Sequence, residues 1–272
     1  IQGPEVEKFE QLLSNYLNSK HTISCANGTD ALYLALMSLN LQPGDEVILP
    51  AFTFVSTVEA VCLLGLKPVF IDIDPDTFLL NPHLICDLLS KRTRVILPVH
   101  LFGQCCDMVS IQKIAKKHNL FIVEDAAQSI GSRCRGNKTS LNKKFSGTIG
   151  DIGITSFYPS KNLGCFGDGG AIFTQNKKLS QHIRLLANHG QKQKYTHDII
   201  GVNSRLDTIH ASILSFRLSK LKKVIAKRKA NIKLYKKYIN TNQIKFINDH
   251  KDMKSSYTIF NVLCNHRDKL KN

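Results

Sequence analysis

Hydrophobic residues fall into short, nearly unbroken runs, separated by stretches in which they recur every three or four positions. The runs EVILP (46–50), PVFIDI (68–73), RVILPV (94–99), LFIVE (120–124), IGITSF (152–157) and GAIFT (170–174) read as strands buried on both faces. Between most of them the spacing predicts helices over 29–39, 56–64, 82–89 and 108–118. Strands alternating with helices predict an α/β chain with a mainly parallel sheet covered on both faces. Further on, Leu218, Leu221, Ile225, Ile232 and Tyr235 line one face of a helix over 217–239, leaving its many basic residues on the other.

Ligands of such sheets sit where strands end and helices begin, and four junctions carry chemistry. At the first, Asn27, Gly28 and Thr29 open a helix whose amides and dipole suit a phosphate, although simple N-capping explains the same residues. At the second, Phe52, Thr53 and Phe54 follow a strand end, where an aromatic either stacks on a planar ring or joins the core. The third delivers Glu124 and Asp125 from an apolar run, with Gln128 just beyond. A carboxylate there needs a cation or hydrogen-bond donors, or else caps the next helix.

The fourth junction is SFYPSKNLGCFGDGG (156–170). Ser156 ends a strand, Lys161 follows, and Gly164, Gly167, Gly169 and Gly170 let the backbone turn into another strand. Those glycines do not open a helix, so they make no dinucleotide fingerprint, and no GK[ST] of a P-loop is present. A phosphate cradle, a ring stacker, a buried carboxylate and a lysine together match the needs of pyridoxal 5'-phosphate. Lys161 is then its Schiff-base lysine.

Composition adds one oddity, a formal net charge of +16, which fits nucleic acid, an anionic surface or an anionic small substrate. Basic residues are spread along the chain, and no nucleic-acid motif accompanies the dense stretch at 217–239, which reads as a solvated helix face. No apolar stretch approaches a membrane span, and the first residues carry no signal-peptide pattern, so a cytoplasmic chain is expected. The eight cysteines lack CxxC or zinc spacing and read as reduced packing residues; no metal site is expected.

NGTDALYLAL, PAFTFVSTVEAV, PVFIDIDPDTF, PVHLFGQCCDM, VEDAAQSIG, GDIGITSFYPSKNLG, GDGGAIFT and NHGQ...GVNSRLDTIHASIL stand in the order found in DegT/StrS-type sugar aminotransferases, which the chain resembles. The resemblance implies a type I, aspartate-aminotransferase-like fold. It divides the chain into a cofactor-binding large domain at 1–214 and, at 215–272, a basic connecting helix with an incomplete small carboxyl-terminal domain. It further implies an internal aldimine on Lys161, Asp125 against the pyridine nitrogen, Phe54 over the ring and Gln128 near the phenolic oxygen. Gly28, Thr29 and Ser156 hold the phosphate, and Asn203 reaches it from the neighbouring subunit of a homodimer. Arg205 becomes a candidate for a substrate carboxylate.

The activity implied is amino transfer from L-glutamate to a nucleotide-linked keto-sugar for polysaccharide or lipopolysaccharide synthesis. The third carbon of a UDP-N-acetyl-hexosaminuronate leads, and a dTDP-3-keto-6-deoxyhexose competes. No nucleic acid or membrane is an expected partner. A family histidine ahead of Tyr-Thr-Ile is missing, with Lys254 and Ser255 nearby, which changes that end of the sugar site; a truncated, inactive relative with a binding or regulatory role is a further alternative.

Overall fold

A computed structural model describes residues 2–134, 141, 143–239, 241–247 and 253–271. Its elements run α1 (Pro4–Leu17), β1 (His21–Cys25), α2 (Gly28–Met37), β2 (Glu46–Pro50), α3 (Ser56–Leu63), β3 (Lys67–Ile71), β4 (Thr93–Ile96), α4 (Met108–His118) and β5 (Phe121–Asp125). There follow β6 (Arg133–Cys134), β7 (Ile152–Ser156), β8 (Gly170–Thr174), α5 (Lys177–Ala187), β9 (Gln191–Gln193), β10 (Thr196–His197) and α6 (Thr208–Tyr238). The remainder is β11 (Ile244–Phe246), β12 (Met253–Lys254), β13 (Val262–Cys264) and α7 (Arg267–Lys271).

Seven strands form one sheet in the order β1-β8-β7-β5-β4-β2-β3. Neighbours are parallel from β7 through to β3, whereas β8 runs antiparallel to both β7 and β1. This is the mainly parallel α/β sheet expected, and its parallel strands all deliver their carboxyl ends to one edge of the molecule. The side-chain alternation of β8 feeds two cores. Ile172 joins Leu32, Leu36, Ile48, Ile111 and Ile183 on one face. Ala171 and Phe173 join Phe9 and Leu13 of α1 and Leu214 and Leu221 of α6 on the other.

All six foreseen strands form, two of them with the foreseen bounds, and α4 spans 108–118 as the spacing predicts. The stretch 82–89 instead makes two short 3-10 turns, Pro82–Leu84 and Cys86–Leu88. There Ile85 is fully buried while Leu84 is exposed, so no apolar stripe sustains an α-helix, and Leu89 is already extended. The basic helix begins well before 217, at Thr208. Leu218, Leu221, Ile225 and Ile232 are its buried residues, but Tyr235 is exposed and stacks on Phe260 at 5.8 Å. All eight cysteines are free thiols; Cys25, Cys105, Cys106, Cys134 and Cys165 pack in the interior, whereas Cys62 and Cys86 are exposed and so are not packing residues.

Gly153 lies in the middle of β7, where an added Cβ would stand 2.0 Å from the carbonyl oxygen of Gly147. Both groups are backbone in a tightly bonded layer, so neither can swing aside. Gly153→Ala is expected to lower the unfolding free energy by about 3 kcal/mol, read from the urea midpoint; an unchanged midpoint would show that the 147–150 turn yields freely.

Candidate active site

Four of the sheet's parallel strands, β2, β4, β5 and β7, end beside the start of α2, and a cavity of about 720 Å³ opens there. Its walls bring together Asn27, Gly28 and Thr29 from the first junction, Thr53 and Phe54 from the second, Asp125 and Gln128 from the third, and Ser156 and Lys161 from the fourth. The sheet order makes this convergence possible, because β7 lies directly beside β5 although 26 residues separate Asp125, the end of β5, from Ile152, the start of β7.

The helix start uses its cap in a particular way. Asn27 Oδ1 accepts the Asp30 amide at 2.7 Å, and the Asn27 carbonyl accepts that of Ala31. The amides of Gly28 and Thr29, ahead of them, have no acceptor within the helix. Capping therefore leaves the first two amides at this end open to an acceptor from outside the helix. Gly28 is required by close approach: a Cβ on it would lie 2.7 Å from the Cβ of Ser156. Glycine lets the first turn of α2 and the end of β7 form one wall, with the Ser156 hydroxyl in it.

Asp125 is 5% exposed, and its carboxylate is held on both oxygens. Thr57 Oγ1 donates to Oδ2 at 2.9 Å and the Ala127 amide to Oδ1 at 3.0 Å. Burial pushes its carboxyl above the ordinary carboxylate range, against the pull of those donors and of the Lys161 ammonium. The partner foreseen for this carboxylate is thus a pair of hydrogen-bond donors with a cation in reach.

Lys161 sits one turn past Ser156, its amide bonded to the Tyr158 carbonyl at 2.9 Å. Burial lowers the pKa of its ammonium below 10.5, with Asp125 opposing the shift. An amine of this kind is deprotonated at a pH where a solvated lysine is not. Reaction of the chain with a small aldehyde, trapped by borohydride and located by peptide mass spectrometry, is expected to reach half its maximal rate at Lys161 at a pH below 10.5. A midpoint at or above the ordinary lysine value would remove the burial effect. Because the folded chain holds this proton less tightly than the unfolded one, stability rises with pH through the same window.

Gln128 accepts the Phe102 amide on Oε1 at 2.9 Å, which fixes its side chain at the cavity wall. Phe54 also lines the cavity but is 69% exposed, so its ring is a wall without a layer behind it. Asn203 and Arg205 do not line this cavity. Asn203 is exposed and pairs with Asn188 across an isolated bridge, and Arg205 is half-buried, both in the link between β10 and α6.

Sequence reasoning missed several groups here. Thr57 lies inside α3, where its hydroxyl is hidden in an apolar face. Asp30, Tyr158, Ser160 and Asp168 also line the cavity. Behind the wall, His100 and Glu124 form a fully buried pair at 2.8 Å. Glu124 was paired with Asp125 as a candidate charge, yet it faces the other way and accepts the amides of Gly147, Ile149 and Gly150. A histidine at the exit of an apolar run was the available signal for this pair.

The family model of DegT/DnrJ/EryC1/StrS aminotransferases matches the chain over residues 1–272. The chain belongs to this family. Among DegT/DnrJ/EryC1/StrS relatives, the UDP-2-acetamido-2-deoxy-3-oxo-D-glucuronate aminotransferase of Pseudomonas aeruginosa is 50% identical over 228 residues, 84% of this chain and 62% of that protein. The chain thus spans less than two thirds of that relative's length. The crystal structure of S. venezuelae DesV in complex with a ketimine intermediate superposes with a TM-score of 0.93 at 39% identity, covering 99% of this chain and 71% of that one. NtdA from Bacillus subtilis with bound cofactor PMP gives 0.85 at 33% identity, covering 99% of this chain and 61% of that one. The type I, aspartate-aminotransferase-like fold implied by the sequence resemblance is therefore the fold of this chain.

Proposed function

We propose that the chain binds pyridoxal 5'-phosphate and moves an amino group from L-glutamate to a nucleotide-linked keto-sugar. The observation that carries this reading is the pairing of Lys161 with Asp125 across one cavity, where burial shifts each and each feels the other's charge. The donor set fits the group. Lys161 offers an amine to an aldehyde, Asp125 an acid to a ring nitrogen, and Gly28, Thr29 and Ser156 offer amides and a hydroxyl to a phosphate. Phe54 offers a ring face and Gln128 an amide at the edge.

When bound, the cofactor supplies an electron-withdrawing ring and a carbon that stores the amino group between half-reactions. The chain's residues do the rest. Asp125, pinned by Thr57 and Ala127, keeps its charge aimed in a fixed direction without reorganising. Lys161, with its lowered proton affinity, takes the proton from the α-carbon of the amino donor and would pass it to the carbon that keeps the amino group; in the second half-reaction it would supply the proton gained by the sugar carbon being aminated.

The sugar is assigned as the 3-oxo form of a UDP-N-acetyl-hexosaminuronate. Support comes from the relative of that substrate class and from Arg205, whose guanidinium suits a uronate carboxylate. A homodimer belongs to the same reading: Asn203 is exposed, and Phe54, Phe166 and Ile200 expose 69%, 78% and 88% of their surface, apolar area that a second copy would cover. Free thiols fit a reducing, cytoplasmic setting.

The test is a glutamate half-reaction followed in the visible spectrum, after which UDP- and dTDP-linked 3-keto-sugars are offered and the products read by NMR. Amination of the UDP-uronate at its third carbon is expected. Turnover confined to the dTDP-sugar would reassign the substrate, and no spectral change with glutamate would remove the aminotransferase reading.

A further inference from the structure

The loop 99–106 never offers a charged group to the cavity, yet it touches Asp125 and Gln128 of the third junction. The Asp125 amide donates to the carbonyl of Pro98, just ahead of the loop, and the Asp125 carbonyl accepts the His100 amide, both at 2.9 Å, so Val99 at the head of the loop forms a parallel bridge with Asp125. The Phe102 amide fixes Gln128. Between these contacts the chain turns through two left-handed residues, Phe102 at φ 59° and Gly103 at φ 96°. The first is strained for a side chain of its kind and persists only if something outside the turn holds it.

The turn is held from two sides: the Gly103 carbonyl accepts the hydroxyls of Ser132 and Ser255 and the Ser256 amide, and the ends of the loop are tied down by the His100 imidazole. Nδ1 accepts the Cys106 amide at 3.1 Å, closing the loop on itself, and Nε2 meets Glu124 Oε2 at 2.8 Å. The Cys106 amide aimed at Nδ1 leaves no place for a proton there, so the ring's proton sits on Nε2, which donates to Glu124. Glu124 is the fixed post: it takes four N–H groups on its two oxygens and is wholly buried.

We propose that His100 is a positioning residue for this site, its imidazole locking the 99–106 loop to Glu124 so that the loop sets the Asp125 backbone and the Gln128 amide. His100 lines no part of the cavity and acts through those two residues. The inference rests on the reading of the cavity as a pyridoxal phosphate site, and its test separates the two.

The chain and its His100→Leu, His100→Gln and His100→Asn variants are titrated with pyridoxal phosphate. Each is read for affinity, for the pH midpoint of the bound cofactor's visible band, and for its urea midpoint without added cofactor. His100→Leu is expected to weaken cofactor binding about tenfold, the scale on which loss of an outer hydrogen-bond partner is felt at other sites, and to move the band's pH midpoint upward. His100→Gln keeps a donor for Glu124 and His100→Asn an acceptor for Cys106, so both should fall between His100→Leu and the native chain. Native affinity and native pH midpoint in any folded variant, with only the urea midpoint lowered, would reduce His100 to a structural part and overturn the proposal. If His100→Leu does not fold, the other two decide on the same terms. A native chain that binds no cofactor would instead bring down the function on which the proposal stands.

Discussion

Lys161→Ala is expected to slow amino transfer from glutamate by at least about 10⁴-fold, the upper range for a positioned acid–base group, while leaving the fold in place. Lys161 contributes its side chain to the cavity wall and its amide to a local turn, and alanine preserves the turn. Its ammonium is disfavoured by burial, so removing it costs the folded state little. Cofactor should still bind without a covalent link through Asp125, Ser156 and the α2 amides. Single-turnover absorbance after mixing with glutamate measures the effect, and Lys161→Arg, which keeps a charge but cannot release its proton near neutral pH, should be as slow. A variant within tenfold of the native rate would place the proton transfer on another group.

Asp125→Asn should lower the same rate by about 10²–10³-fold, the loss typical when one preorganised electrostatic partner is removed. The substitution is close to isosteric. Its carbonyl can accept the Ala127 amide as Oδ1 does now, and Thr57, which also shares a hydroxyl contact with Thr53 at 3.1 Å, can turn to accept from the new amide. The defect is therefore in charge and not in folding. A pH signature separates it from a general loss. Burial raises the Asp125 carboxyl, so the acid limb of the native rate profile should lie above pH 3.8 and vanish in the variant. Stability moves the opposite way: the folded chain binds this proton more tightly than the unfolded one, so the cost of the buried carboxylate is relieved as pH falls through the raised value. Native kinetics in Asp125→Asn would detach the carboxylate from the chemistry.

Much of this was legible because of how the sheet is buried. A strand covered on both faces must be apolar throughout, and β2 and β8, buried at every position, stand out in the sequence for that reason. β1, HTISC, carries its polar atoms inward and satisfies them locally, with the Ser24 hydroxyl and amide both given to Glu10 of α1 at 2.8 Å. Its pattern gave no comparable signal. α1 did carry one, since Val6, Phe9, Leu13 and Leu17 recur at helical spacing behind a proline. The four junctions converge as their chemistry suggested, because strand ends are where sequence and site coincide. Thr57 and His100 act through contacts 68 and 24 positions away, to Asp125 and Glu124, and no local pattern encodes such distances. Asn203 and Arg205 stand outside the cavity of their own chain, where only the family resemblance had given them a role.

The packing of α1 against α6 has a consequence for biosynthesis. Phe9 and Leu13 leave the ribosome among the first residues of this sequence, but their neighbours Leu214 and Leu221 emerge some two hundred residues later. β1 likewise waits for β8, its one sheet neighbour among the described residues. During translation the apolar stripe of α1 therefore stands apart from its α6 partners until that helix has been made, a natural foothold for a chaperone, and this face of the sheet is closed only then.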